Sequence, residues 1–165
     1  GALATAGIVF FARQYELGRG AVGEAVLATA QTKSSLGFVQ AVALGVLCNA
    51  LVCLAGWLCF SARTTTDKVL SIIFPISAFV AAGFEHSVAN MYFIPMGLFV
   101  KSGAGDGFWQ QVGVTDSDSP DVTWGNFFVD NLVPVTIGNI IGGALLVGLV
   151  YWFVYLRRAK HAGSA

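Results

Sequence analysis

Gly83-Phe84-Glu85-His86-Ser87-Val88-Ala89-Asn90 sets two adjacent ionisable side chains inside an otherwise apolar stretch. Residues 68–100 hold, beyond Lys68 itself, only Glu85, His86 and Asn90 as strongly polar groups. One straight helix of that length would measure about 50 Å, against a hydrocarbon core of about 30 Å. Two complete spans would need about 40 residues plus a turn. The run therefore predicts one crossing by a broken helix, with the break at Ala81, Ala82 and Gly83 and the ionisable pair directly after it. Irregular backbone at membrane depth is tolerated only where protein buries it or it lines a cavity, and solute sites are built from such discontinuous helices.

Composition supports a membrane protein. Of 165 residues, 56% are hydrophobic and 11% charged, where a soluble domain averages about 25% charged. Mean hydropathy is +0.72. The net charge of zero leaves no basic patch for nucleic acid. Cys48, Cys53 and Cys59 form no CxxC pair, so neither a disulfide nor a metal site is expected, and they read as small buried side chains.

Around the central run, residues 1–12 are apolar and too short to span, and read as the end of a truncated helix. Residues 13–37 are mixed and polar, with a short interfacial helix over 23–32. Residues 38–60 form a full span, and 61–67 a polar turn. Residues 101–130 read as a polar loop with Trp109 and Trp124 at the interface, and 131–156 as the last span. Gly138, Gly142, Gly143 and Gly148 suit close helix packing. The fold class is thus an all-α integral membrane protein in a single domain, cut so that three to four spans remain. Arg63, Lys68, Arg157, Arg158 and Lys160 gather at the 61–68 turn and the C-terminus, which the positive-inside rule assigns to the cytoplasm.

Within the spans, His86 is the one side chain able to change charge near neutral pH. A pore histidine can attract a small anion and lend it a proton, whereas an anion alone faces a large desolvation cost. Glu85, about 100° away if the pair is helical, reads as a scaffold group bonded at the break or to a neighbouring subunit. Asn49 and Asn139 are lone amides in apolar helices. Their spacing leaves interhelical bonding and pore lining equally open. A membrane enzyme using Glu85 and His86 lacks HExxH, GxSxG and a metal set. Asn-Pro-Ala, which an aquaporin would carry, is absent.

Three blocks in order carry a resemblance: Leu47-Cys48-Asn49-Ala50-Leu51-Val52-Cys53-Leu54-Ala55, Gly83 to Met91, and Asn131-Leu132-Val133-Pro134-Val135-Thr136-Ile137-Gly138-Asn139-Ile140-Ile141-Gly142-Gly143. Together they resemble the formate/nitrite transporter family over nearly the whole chain, and are most like its bacterial formate channels. The resemblance implies an aquaporin-like bundle of two inverted repeats, of which this chain would hold the C-terminal part. It also implies a homopentamer in the bacterial inner membrane with one pore per protomer, passing formate without a cofactor or metal. His86 then matches the central pore histidine that exchanges a proton with the anion. Phe79 matches an aromatic of a hydrophobic constriction, and Val52 an apolar residue of the cytoplasmic slit. Asn49 and Asn139 match pore-lining asparagines, and Lys33 a basic residue at the periplasmic mouth. Glu85 and Asn90 stand as structural residues near the pore. Nitrite and hydrosulfide channels share Glu-His-Ser and form the alternative.

Overall fold

A computed structural model describes residues 1–157, and Arg158, Lys160 and His161 of the basic tail lie outside the described residues. The described residues form helices: α1 Ala2–Phe11, α2 Ala21–Ser34, α3 Phe38–Ser61, α4 Thr65–Ala81, α5 Ser87–Gly103 and α6 Asp106–Val112. The last helix, α7, runs Trp124–Leu156. Among the described helices, α3 and α7 are long and apolar enough to cross a bilayer by length and composition. The chain divides into two compact units, Gly1–Gln40 with Ser87–Pro134, and Ala41–His86 with Val135–Ala165.

In the first unit α1 and α2 both pack on α5. Ala6, Tyr15, Leu27, Met96, Val100 and Phe108 make one core cluster, and Ala30, Ile94, Leu98, Val122 and Phe127 another. Residues 101–130 are not a loop throughout. Phe108 on α6 is buried against Tyr15, with ring centroids 5.4 Å apart. α7 begins at Trp124 rather than Asn131, because Thr123 Oγ1 caps it by accepting from Asn126 N–H at 3.1 Å. What remains irregular is pinned at two points. Lys101 Nζ donates to the Ser119 carbonyl at 2.7 Å, and Gln31 Nε2 donates to Asp121 Oδ2 at 2.6 Å.

In the second unit α3 and α7 run parallel. Gly45 on α3 faces Val135 and Gly138, and further along Asn49 faces Asn139 and Gly143. The approach is backbone on backbone. A Cβ on Gly138 would strike the Val42 carbonyl, one on Gly142 the Val46 carbonyl, and one on Gly45 would lie 2.8 Å from the Val135 carbonyl. Gly148 has no α3 atom near its missing Cβ, so the packing expected of all four α7 glycines holds for three. α7 widens to π-helical turns over Phe127–Leu132, Ile141–Gly148 and Trp152–Leu156. The first precedes Pro134, whose ring excludes ordinary bonding to the carbonyl four residues back, and Val133 N–H reaches Phe128 O instead.

α4 starts at Thr65, ahead of the Lys68 boundary, because Thr64-Thr65-Thr66-Asp67 forms a capping box: Asp67 N–H donates to Thr64 Oγ1 at 3.1 Å and Thr64 N–H to Asp67 Oδ2 at 3.1 Å. It ends where Gly83 turns left-handed at φ +66, a conformation without penalty for glycine. Gly83 N–H then donates to the Val80 carbonyl and Phe84 N–H to the Phe79 carbonyl, both at 3.1 Å, a Schellman closure that satisfies the last carbonyls of the helix. The open faces of α3, α4 and α7 are apolar, Phe60 and Phe74 among them.

Gly142→Ala is expected to destabilise the protein by about 1–3 kcal/mol through a forced shift of α3, and Gly148→Ala to be neutral. Thermal unfolding in detergent checks the contrast. The Thr64 hydroxyl, followed by the Thr64 N–H, holds the Asp67 carboxyl below its ordinary pKa. A depressed folded-state pKa means that the box contributes fully above the unfolded value, about 3.9, and is lost as pH falls through the lower folded one. Amide exchange at Thr64 and Asp67 is expected to quicken only in that acid range, and Asp67→Asn to abolish the transition.

Candidate functional site

The site of the second unit is assembled at residues 82–86, the gap between α4 and α5. Glu85 and His86 are not helical, so the expected 100° separation does not apply; an irregular connection carries both into Ser87. Glu85 is buried at 3% exposure, while His86 and Phe79 are half-buried with ring centroids 6.3 Å apart. The Schellman closure of α4 fixes the carbonyl of Phe79 itself, so the ring that stands nearest the histidine springs from the turn that stops the helix.

Asn139 ties the gap to two helices. Its Nδ2 donates to the Gly45 carbonyl on α3 at 2.9 Å and to the Glu85 carbonyl at 3.0 Å. Its own carbonyl accepts from Asn49 Nδ2 at 2.6 Å. Both N–H groups of Asn139 are thereby engaged on buried backbone, and the side chain is only 6% exposed. Asn49 differs. It is half-buried, and only one of its amide N–H groups has a partner among the described residues. Gly143 explains the fit, since a Cβ there would collide with the Asn49 amide. The two amides thus differ in their bonds: Asn139 donates to two backbone carbonyls and Asn49 to one. Val52 lies half-buried near one turn beyond Asn49 on α3.

Lys33 and Asn90 belong to the first unit. The Lys33 carbonyl accepts from Asn131 Nδ2 at 2.8 Å, and Asn131 Oδ1 accepts from Asn90 Nδ2 at 2.8 Å. Asn90 and Asn131 are fully buried, and Lys33 Nζ sits 5.7 Å from the centre of the Phe93 ring. Asn131 and Gly45 are the members that sequence reasoning missed. A buried carbonyl has no side-chain signature, but Asn131 at the head of the apolar run 131–156 was a visible one.

The groups at the gap are one imidazole and one aromatic ring, with the backbone of the gap tied to α3 by Asn139. An imidazole is in general able to donate or accept a proton near neutral pH. Among the described residues no cluster of three His, Cys, Asp or Glu fit to hold a metal ion occurs.

The family model for Formate/nitrite transporter matches residues 1–153. Formate channel FocA of Escherichia coli (strain K12) is 47% identical over 161 residues, 98% of this chain and 56% of that protein. Formate channel FocA of Haemophilus influenzae is 45% identical over 149 residues, 90% of this chain and 52% of that protein. The chain thus spans about half the length of the curated relatives it matches. A solved structure described as a pentameric formate channel with formate bound matches with a TM-score of 0.89 at 44% identity, covering 94% of this chain and 61% of that one.

Asn139→Ala removes two donors from buried carbonyls and is expected to lower stability by about 1–3 kcal/mol. Asn49→Ala removes one partly exposed donor and is expected to cost about 1 kcal/mol or less. Denaturant unfolding of the two variants in detergent tests the order.

Proposed function

The chain belongs to the formate/nitrite transporter family, and on that premise we propose that it supplies part of the pore wall of a channel carrying formate across a bacterial inner membrane. The observation that carries this reading is the helix gap at residues 82–86, with half-buried His86 beside Phe79 and the Glu85 carbonyl held by Asn139. A carboxylate entering apolar surroundings loses hydration that nothing there replaces. In this reading His86 attracts the anion and lends it a proton, so that neutral formic acid passes the Phe79 ring. Asn49 offers an N–H and an oxygen to the solute, and Val52 narrows the path beyond it. Asn139 and Glu85 hold the gap rather than touch the solute. Lys33, its backbone held by the Asn131–Asn90 pair, draws anions to the periplasmic mouth.

The remaining features follow the same reading. The bundle is the C-terminal part of an aquaporin-like inverted repeat, assembled as a homopentamer with one pore per protomer. The apolar faces of α3, α4 and α7 meet lipid and neighbouring subunits. The 61–68 turn and the C-terminus face the cytoplasm. Nitrite and hydrosulfide are the competing solutes, since each is a small anion that can take a proton.

The test is anion flux in liposomes by the protein together with any sequence that precedes residue 1. Formate flux is expected to rise as pH falls, and His86→Phe to remove that pH dependence while cutting flux by about a hundredfold or more, the lower end of what one positioned proton donor contributes. Unchanged flux and pH dependence would eliminate the proton-exchange role. Faster flux of nitrite or hydrosulfide than of formate would move the substrate assignment to that anion.

A further inference from the structure

Between α6 and α7 in the first unit the chain makes one short 3-10 turn, Asp116–Asp118, and then runs irregularly to Thr123. Yet Ser119 and Val122 in this loop are buried, at 5% and 1% exposure. Buried carbonyls need partners, and a single side chain of α5 supplies two of them. Lys101 Nζ donates to the Ser119 carbonyl at 2.7 Å and to the Val122 carbonyl at 3.3 Å, and pairs with Asp116 Oδ1 at 3.4 Å. The Lys101 side chain is 17% exposed, so the loop is closed over a largely buried ammonium. Val122 reaches the place where α2 meets α5. A Cβ on Gly97, one turn before Lys101, would strike the Ala30 methyl of α2 and lie 3.7 Å from Val122 Cγ1.

The clamped loop in turn grips the end of α2. Gln31 and Asp121 bond reciprocally: Gln31 Nε2 donates to Asp121 Oδ2 at 2.6 Å, and Asp121 N–H donates to Gln31 Oε1 at 3.0 Å. The Asp121 carbonyl accepts from Asn126 Nδ2 of α7 at 3.0 Å. Asp121 is thus fixed through its backbone and its carboxylate together. Gln31 belongs to the last turn of α2, where the Ser35 N–H donates to the Gln31 carbonyl at 3.0 Å. Lys33 rises from that same turn, with its ammonium 5.7 Å from the centre of the Phe93 ring. Helix ends fray unless they are held, and a long lysine stem goes where its backbone goes. Residues two apart on a helix do not share a face, so Asp121 can hold the turn through Gln31 without occupying the side from which Lys33 projects.

We propose that Asp121, acting through Gln31, is a positioning residue for Lys33, and that Lys101 holds the loop that carries it. This rests on the reading of Lys33 as the residue that draws anions to the mouth of the channel, and adds what keeps that cation in place.

The test pairs formate flux in liposomes, measured against formate concentration for the protein with any sequence that precedes residue 1, with amide hydrogen exchange of the same proteins. Asp121→Ala is expected to raise the half-saturating concentration about fivefold, the scale of one net hydrogen bond, and to leave the maximal rate unchanged. Charge alone acts in the opposite sense, since removing a carboxylate near an anion entrance would lower that concentration. Asp121→Asn, whose side-chain oxygen still accepts from Gln31, is expected to match the unaltered protein. Lys33→Gln is expected to raise the half-saturating concentration, and Asp121→Ala to add nothing in the Lys33→Gln background. Exchange at Lys33, Ser34 and Ser35 is expected to quicken about fivefold in Asp121→Ala and to stay unchanged in Asp121→Asn. Lys101→Met is expected to reproduce both effects of Asp121→Ala. Exchange at residues 33–35 that Asp121→Ala does not alter would overturn the proposal. Where Lys33→Gln raises the half-saturating concentration, so would a lowered or unchanged value for Asp121→Ala, additive effects of the two substitutions, or an Asp121→Asn that behaves like Asp121→Ala. Flux indifferent to Lys33→Gln, with exchange still quickened by Asp121→Ala, would defeat the mouth reading of Lys33 and uphold its positioning by Asp121.

Discussion

A gap in a helix exposes backbone groups that must find partners, and within an apolar bundle water cannot supply them. Here specific partners are supplied. Gly83 and Phe84 close the end of α4 on the carbonyls of Val80 and Phe79. Asn139 reaches from α7 to the carbonyl of Glu85 and, with its other N–H, to Gly45 on α3. One amide thereby ties a gap and a helix to α7. The close approach this requires exists because Gly138, Gly142 and Gly45 let two backbones meet without side chains between them.

That constraint explains the division of labour among the polar residues. A bracing amide must be saturated, because an unmet bond would loosen the gap. Asn139 is saturated at both N–H groups. Asn49 makes one such bond, and Gly143 leaves its amide room. His86 gains a defined position from a backbone that is not helical, at the cost of the neighbours a helix would give it. The first unit repeats the logic with Asn90 and Asn131, which fix the backbone of Lys33 rather than its ammonium.

Much of the helical plan was legible because length and apolarity are global constraints. α3 runs from Phe38 to Ser61, one residue beyond the expected span. The mismatch between 68–100 and a single crossing pointed to residues 81–83, and α4 does end at Ala81. Local chemistry was read less well. Thr64 to Asp67 carried a capping signature yet passed as a turn, and Thr123 likewise started α7 early. α6 escaped because its seven residues hold one buried anchor, Phe108, whose partner Tyr15 is remote in sequence. The bonding of Asn49 and Asn139 lay beyond sequence for a sharper reason: both are amides in apolar helices, and only the structure shows that one donates to one carbonyl and the other to two. Gly148 shows the converse, a glycine with the right spacing and nothing to pack against.

The central claim is that Asn139 holds the gap carrying His86. Amide hydrogen exchange at Gly83, Phe84 and Glu85, compared between the unaltered protein and Asn139→Ala, tests it most directly. Exchange there is predicted to quicken at least about tenfold in the variant, the equivalent of one lost net hydrogen bond or slightly more, while Thr64 and Asp67 stay as they were. Equal protection of residues 83–85 in both proteins would contradict the account.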